Sequence, residues 1–499
     1  MVKTLEKSIR QYKTPTIITP CIMVVEAAME ILIPFVMSLL LKHLQDVQAG
    51  LVALDMSVIL RYGGLMVGMS LLSMLGGVLG GIFGSRASGG FAANLRKDMY
   101  ANIQKYSFSN IDKFSTSSLI TRLTTDVTNV QNAYLMMTRM MVRAPIMFIF
   151  ATIMSFVVNA SVAWIFVAAA FVMAIAVVFI MLQAMPSFQK MFKKYDHLNA
   201  VAQEDLTAVR VVKSYVREDR EIEKYQKATQ EVYDFSIKAE KWIVTLMPVV
   251  QVIMYATMLT LFAFGGNLIL GGNLQVADLT ALLQYATQIL SGVMMFAMVL
   301  NFLAIAKPSA DRIAEVLEEK TDLESPENAI TTIKDGSIDF DNVNFSYVGS
   351  EEEDVLRNVD LHIRPGQTVG IIGGTGSAKS TLVSLIPRLY DVKSGEVKVG
   401  GVDVRKYDLK TLRDNVAMVL QKNVLFSGSI TENMKWGDEN ATPEEIEEAC
   451  SAAQAKEFID RLPGGYDYDL GQGGVNVSGG QKQRLCIARA LLKHPKILI

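Results

Sequence analysis

Gly373-Gly374-Thr375-Gly376-Ser377-Ala378-Lys379-Ser380-Thr381 decides how the second half of this chain is read. A β-like run, Thr368–Ile372, leads into it, and the helical run Leu382–Leu389 follows. Strand, glycine-rich loop and helix together bring backbone amides and a helix N-terminus onto phosphate oxygens. In that setting Lys379 reaches the β- and γ-phosphates of a nucleotide and Ser380 ligates magnesium. The strict pattern has glycine before the lysine, where this chain has Ala378. Alanine tolerates most backbone angles except the positive-φ region, so the loop is expected to stay competent.

A second anion seat lies further along. Ser478-Gly479-Gly480-Gln481 precedes Lys482–Lys493, a helical run rich in Leu, Ala and Arg. Ser478 is placed to cap that helix, and Gln481 three residues on completes a capping box. Glycine amides at a helix start again suit phosphate. Upstream of the first loop, Ser337–Phe345 and Val359–Ile363 read as strands, and Glu318–Thr332 reads as a linker ending in turn residues.

Working back toward the N-terminus, the composition changes. The 499 residues average 51% hydrophobic and 20% charged, with a net charge of −2 and a mean hydropathy of +0.28. Charge below the soluble norm of about 25% points to a membrane protein. Near-zero net charge disfavours a nucleic-acid binder. Cys21, Cys450 and Cys486 form no metal or disulfide pattern and read as reduced thiols. Apolar runs recur at Ile17–Leu41, Val58–Phe83, Ala144–Val158, Val162–Met185, Trp242–Ile269 and Leu279–Ala306. Six membrane helices follow, with Asn159–Ser161 as the turn between the third and fourth. Arg139 and Arg143 enter the first turns of the third and are expected to snorkel to the interface.

Orientation comes from the loops. Ser85–Val130 and Phe188–Lys241 carry six and eleven basic residues, while the other loops carry almost none. Basic loops and the N-terminus therefore face the cytosol, and helical spacing in Leu206–Gln226 carries the helices beyond the bilayer. Gly76, Gly80 and Gly84 share one helix face and permit close helix packing. The 27 methionines suit an adaptable surface, although core or lipid-facing filler explains them more simply. Glu26 and Glu30 sit one turn apart within the first span, where a carboxylate is functional by default. They are candidates for a substrate cavity that accepts cations, against merely tolerated polar groups in a wet cavity.

Taken together, these features resemble a half-size ABC transporter of the exporter type, across essentially the whole chain. Gly373–Thr381 matches its Walker A loop and Val477–Gln481 its signature motif, with valine for the usual leucine. Gln421 matches the Q-loop, and Tyr347 the aromatic that stacks on adenine. Gln472 falls where the family commonly has glutamate, and Thr121–Val130 and Val209–Arg217 resemble the two coupling loops. The resemblance implies an all-α six-helix transmembrane domain (1–308), a linker (309–336) and an α/β P-loop ATPase domain (337–499). It implies ATP and Mg2+ as cofactors, the ion held by Ser380 and Gln421. It also implies two ATP sites shared between paired halves in the plasma membrane, and the departures at Ala378, Gln472 and Val477 resemble the less active half of a heterodimer, which is expected over a homodimer. An amphipathic small molecule, lipid or peptide is the expected substrate. The alternative is an ATP-binding, largely non-hydrolysing partner subunit. The final run, Lys496–Ile499, is expected to be the strand that carries Walker B, so the sequence reads as truncated before the catalytic glutamate position and the switch histidine.

Overall fold

The computed structural model describes residues 2–347 and 354–499. They form two compact units, one of 1–100 with 121–317, the other of 101–120 with 318–499.

The first unit is helical. Its long helices are α1 (Arg10–Gln48), α2 (Met56–Ile103), α4 (Thr116–Val158), α5 (Ala160–Thr207), α7 (Glu218–Leu270) and α8 (Val276–Glu318). All six are long and apolar enough to cross a membrane. Two short helices, α3 (Phe108–Lys113) and α6 (Val209–Ser214), sit at the two polar turns. Asn159 breaks α4 from α5 as expected: it is extended, and its side chain accepts from Ser161 N and Val162 N. That cap satisfies two of the amides a new helix leaves without partners. The interior is packed by Ile31, Met147, Phe166, Leu261, Leu282 and Tyr285 from five of these helices.

The glycine face of α2 packs as its spacing implies. A Cβ on Gly76 would lie 3.2 Å from Glu26 Cβ, and one on Gly80 2.3 Å from Met23 Cε. Gly90 is the tightest: the Tyr12 ring lies 2.2 to 2.4 Å from where its Cβ would be.

Two expectations about the cytosolic segments change. Helix α8 continues unbroken to Glu318, so the residues from 309 to 318 are helix and not linker. The segment that belongs with the ATPase unit is 101–120, ahead of Thr121–Val130. Ser107 caps α3 in a capping box. Asn110 donates to Glu319 Oε1 (2.8 Å) and Lys320 O (3.1 Å). Thr121–Val130 instead lies inside α4, where a π turn covers Arg122–Asp126. The reason is Asp126. Its fully buried carboxylate needs partners, and it accepts from Ser309 Oγ at 2.8 Å and Arg312 Nε at 2.7 Å on α8.

In the second unit, β1 (Ile338–Phe345) pairs antiparallel with β2 (Leu356–Ile363), in the register Ile338–Ile363 and Phe340–Leu361. The phosphate loop opens α9 (Lys379–Ser384), and β3 (Ser394–Val399) and β4 (Val402–Asp403) complete the sheet in the order β2-β1-β3-β4. Phe340, Val343, Val397 and Val399 fill its core. After β5 (Val416–Ala417) comes a helical region that ends in α10 (Gly479–Leu492). β6 (Ile497–Leu498) then returns parallel to β5. The expected strand Thr368–Ile372 is not formed. Among the described residues it has no ladder partner, and Ile372 is 98% exposed. A strand exists through its neighbour's hydrogen bonds, which apolar composition cannot supply.

The α2 contacts make a differential prediction. Gly90→Ala drives a methyl into a rigid ring and should destabilise the membrane unit by about 1–3 kcal/mol. Gly89→Ala meets open space and should be neutral or raise stability by up to about 1 kcal/mol, since glycine is the poorer helix former. Thermal unfolding of both variants in detergent checks the pair.

Candidate functional site

The phosphate loop is exposed, and its lysine is folded back on it. Lys379 Nζ donates to Gly373 O (2.8 Å), Gly374 O (2.8 Å) and Ser377 Oγ (3.2 Å). Those three acceptors hold the ammonium where incoming phosphate oxygens can replace them. Gly376 has φ +86°, a conformation that favours glycine. A side chain on Gly373 would strike Ser377 Oγ at 2.6 Å, and the space over Gly374 is open. The cradle is therefore built from backbone and left clear for a ligand. Its donors, a lysine ammonium and a serine hydroxyl at the helix start, fit a nucleotide triphosphate with magnesium. Magnesium, when bound, neutralises phosphate charge.

Ala378 departs from expectation. It has φ +58° and ψ 21°, the left-handed region that alanine avoids. The position where the strict pattern has glycine is thus one that needs it. Left-handed geometry costs a residue with a Cβ about 1–2 kcal/mol.

Tyr347 reaches the same loop, its hydroxyl 2.9 Å from Thr381 Oγ1. Gln421 is exposed just beyond β5. At the second seat the capping box forms as its sequence implies: Ser478 Oγ accepts from Gln481 N (3.3 Å), and Gln481 Oε1 accepts from Ser478 N (2.8 Å). Gly479 and Gly480 are exposed and have nothing within 4 Å of a built Cβ, so the start of this helix is uncovered. Val477 is buried in the helical core, which makes its exchange for leucine a packing change. Gln472 opens a turn whose Gly473 carbonyl accepts from Lys482 Nζ at 2.8 Å.

The chain is similar to known proteins over most of its length. Residues 16–294 match the family of the ABC transporter transmembrane region, and residues 356–499 match the ABC transporter family. An uncharacterized ABC transporter ATP-binding protein of Bacillus subtilis, YfiB, is 36% identical over 96% of this chain and 82% of its own length. One from Mycobacterium tuberculosis, MT1311, is 34% identical over 100% of this chain and 85% of its own. An ATP-dependent lipid A-core flippase of Aromatoleum aromaticum is 33% identical over 85% and 70%. The chain is an ABC transporter. It belongs to the half transporters of the exporter type, with membrane and ATPase domains on one polypeptide.

In this ABC transporter the two membrane carboxylates are not free. Arg143 Nη1 donates to Glu26 Oε1 (2.9 Å) and Nη2 to Glu30 Oε2 (2.6 Å). Arg143 therefore does not snorkel; its planar fork spans both acids. The sequence held the signal, a cation at the edge of one span and two acids in another, but not the pairing. The triad sets two carboxyl groups against one guanidinium, and Glu26 Oε2 is buried without a hydrogen-bond partner. Gln288 completes the group by donating to Glu30 O at 3.3 Å. Pro34 has no N–H to offer that carbonyl, so the glutamine replaces a missing helix bond.

Two substitutions test the loop. Lys379→Ala should weaken nucleotide binding more than tenfold, since a charge-assisted contact is worth about 1.5–3 kcal/mol. Ala378→Gly should raise the unfolding free energy of the ATPase domain by about 1 kcal/mol without loss of affinity. Nucleotide titration and thermal unfolding read both, and unchanged affinity in Lys379→Ala would refute the assignment.

Proposed function

We propose that the chain exports an amphipathic small molecule, lipid or peptide, using ATP, as one half of a paired transporter in the plasma membrane. The observation that carries this reading is the presence of two accessible anion seats, the Gly373–Thr381 loop and the Ser478-capped start of α10. Paired halves would each offer a loop to one ATP and a signature to the other. Tyr347 would stack on the base, Lys379 would hold the phosphates, and Ser380 and Gln421 would hold magnesium. Closure of the ATPase domains would then shift the membrane helices between states of different substrate affinity, which is what drives transport. The tip after α6 supports pairing, because Tyr215 and Val216 are 74% and 80% exposed and suit an apolar partner surface.

A second reading is favoured by Ala378. A strained phosphate loop suits the subunit of a heterodimer that mainly binds ATP while its partner hydrolyses it. Expression of the full-length protein alone, then with the product of an adjacent transporter-like reading frame, separates the two. Robust ATPase activity and transport by the single chain would defeat the heterodimer.

For the substrate path, two carboxyl groups against the one guanidinium of Arg143 favour organic cations. Glu30→Gln keeps the Arg143–Glu26 pair and removes the second carboxyl group, so it should lower transport of a cationic dye in vesicles severalfold more than that of a neutral one. Replacing both acids strands the half-buried Arg143 guanidinium without its partners and should impair folding itself. Equal loss for both dyes in Glu30→Gln would assign the triad a structural role.

A further inference from the structure

Tyr390 is not needed to hold a phosphate, yet it stands in the middle of an unbroken set of contacts. On one side the Tyr347 ring meets the Tyr390 ring edge to face, centroids 5.3 Å apart and planes at 88°. Tyr347 in turn touches the phosphate loop through Thr381. On the other side the Tyr390 hydroxyl donates to Asp112 Oδ2 across 2.8 Å, and its ring leans on Phe108 at 5.9 Å. Both of these residues lie on α3. The nucleotide loop and the cytosolic turn of the membrane helices are thus joined through one phenol.

The main chain around that phenol is clamped. Arg388 makes paired bonds to Asp391 (2.7 and 2.9 Å) and reaches Glu324 O at 3.2 Å. Arg388 O accepts from Arg413 Nη2 at 2.9 Å. A ring on a fixed backbone passes a push from one side to the other, where a loose one would absorb it. Burial, and then the Asp112 carboxylate, push the phenol above its ordinary range, so it stays protonated and is the donor. Phe345 packs on the same ring at 5.6 Å and holds it from the sheet side.

We propose that Tyr390 is a positioning residue that reports occupancy of the Tyr347 face by a nucleotide base to α3, through its hydrogen bond to Asp112. The inference rests on the reading that Tyr347 stacks on the base. Simple adhesion would hold α3 equally with and without a base, whereas a relay makes the two events depend on each other. Such coupling is reciprocal: if the base tightens the Tyr390–Asp112 contact, cutting that contact must weaken binding of the base by the same factor.

The test compares MgATP with magnesium tripolyphosphate, which carries the phosphates and no base, on the full-length protein in lipid nanodiscs. Wild type should prefer ATP, and ATP should slow hydrogen exchange in the Phe108–Phe114 segment more than tripolyphosphate does. Tyr390→Phe keeps the ring and removes the donor. It should reduce the ATP preference by about fivefold or more, the lower bound of typical coupling, leave tripolyphosphate affinity unchanged, and abolish the difference in exchange. Asp112→Asn should do the same, and the double variant should lose little more than either alone. An unchanged ATP preference in both single variants, or losses that add in the double, would overturn the relay. If Tyr347→Ala leaves the ATP preference intact, the base-stacking reading fails first and takes the relay with it. That result shows at Tyr347, not at Tyr390, so the two failures are distinguishable.

Discussion

Hydrocarbon offers no hydrogen bonds, and the architecture of the first unit follows from that constraint. Every backbone amide and carbonyl in a span must find its partner inside the protein, which leaves helices as the available form for these six segments. Where a helix breaks the rule locally, a side chain repairs it. Pro34 leaves Glu30 O without its usual donor, and Gln288 supplies one; Tyr285 donates to the adjacent Ile31 O at 3.1 Å. These repairs come from α8 and land on α1, so a defect in one helix becomes a fixed contact between two. The Arg143 triad obeys the same logic for charge, tying α4 to α1 with a fork that matches two carboxylates.

Helices that satisfy themselves internally need not stop at the membrane surface. Here they continue: α2 runs for 48 residues and α7 for 53. The short helix α3, which follows α2 in the chain, clusters with the ATPase domain. Within that unit the capped helix is held at Glu319 by Asn110 and Lys113, which share one carboxylate, and at Asp112 by Tyr390.

What could be read from the sequence was local. The Ser478–Gln481 capping box, the Asn159 turn, the six apolar spans and the glycine face of α2 each depend on residues within a few positions, and each formed as its spacing implies. What could not be read was pairing across distance. Arg143 was visible as a charge, but its partners lie 113 and 117 residues away. Tyr390 carries no signal in the sequence, because Asp112 is 278 residues distant. The run Thr368–Ile372 had strand composition and no strand, for the same reason in reverse: composition is local and a ladder is not.

Ala378 shows how a local rule can be sound while its application fails. Alanine is the smallest substitute for glycine, and the rule that it suffers only at positive φ is correct; the structure places this residue at φ +58°. The resulting strain of about 1–2 kcal/mol is a sizeable share of a domain's net stability, commonly about 5–15 kcal/mol. Strain at a ligand loop persists only when the surroundings over-determine the conformation. Here they do so from both sides: Lys379 bridges back to Gly373 and Gly374, and Leu382 N closes the first helical turn on Ala378 O at 3.0 Å. The loop is therefore held in its present shape by its own contacts. Because the lysine supplies part of that hold, a ligand that draws Lys379 away also removes a brace from the strained residue. Under the proposed function, phosphate binding and loop strain would be opposed here, a physical basis for two unequal sites if a partner half carries glycine at the matching position.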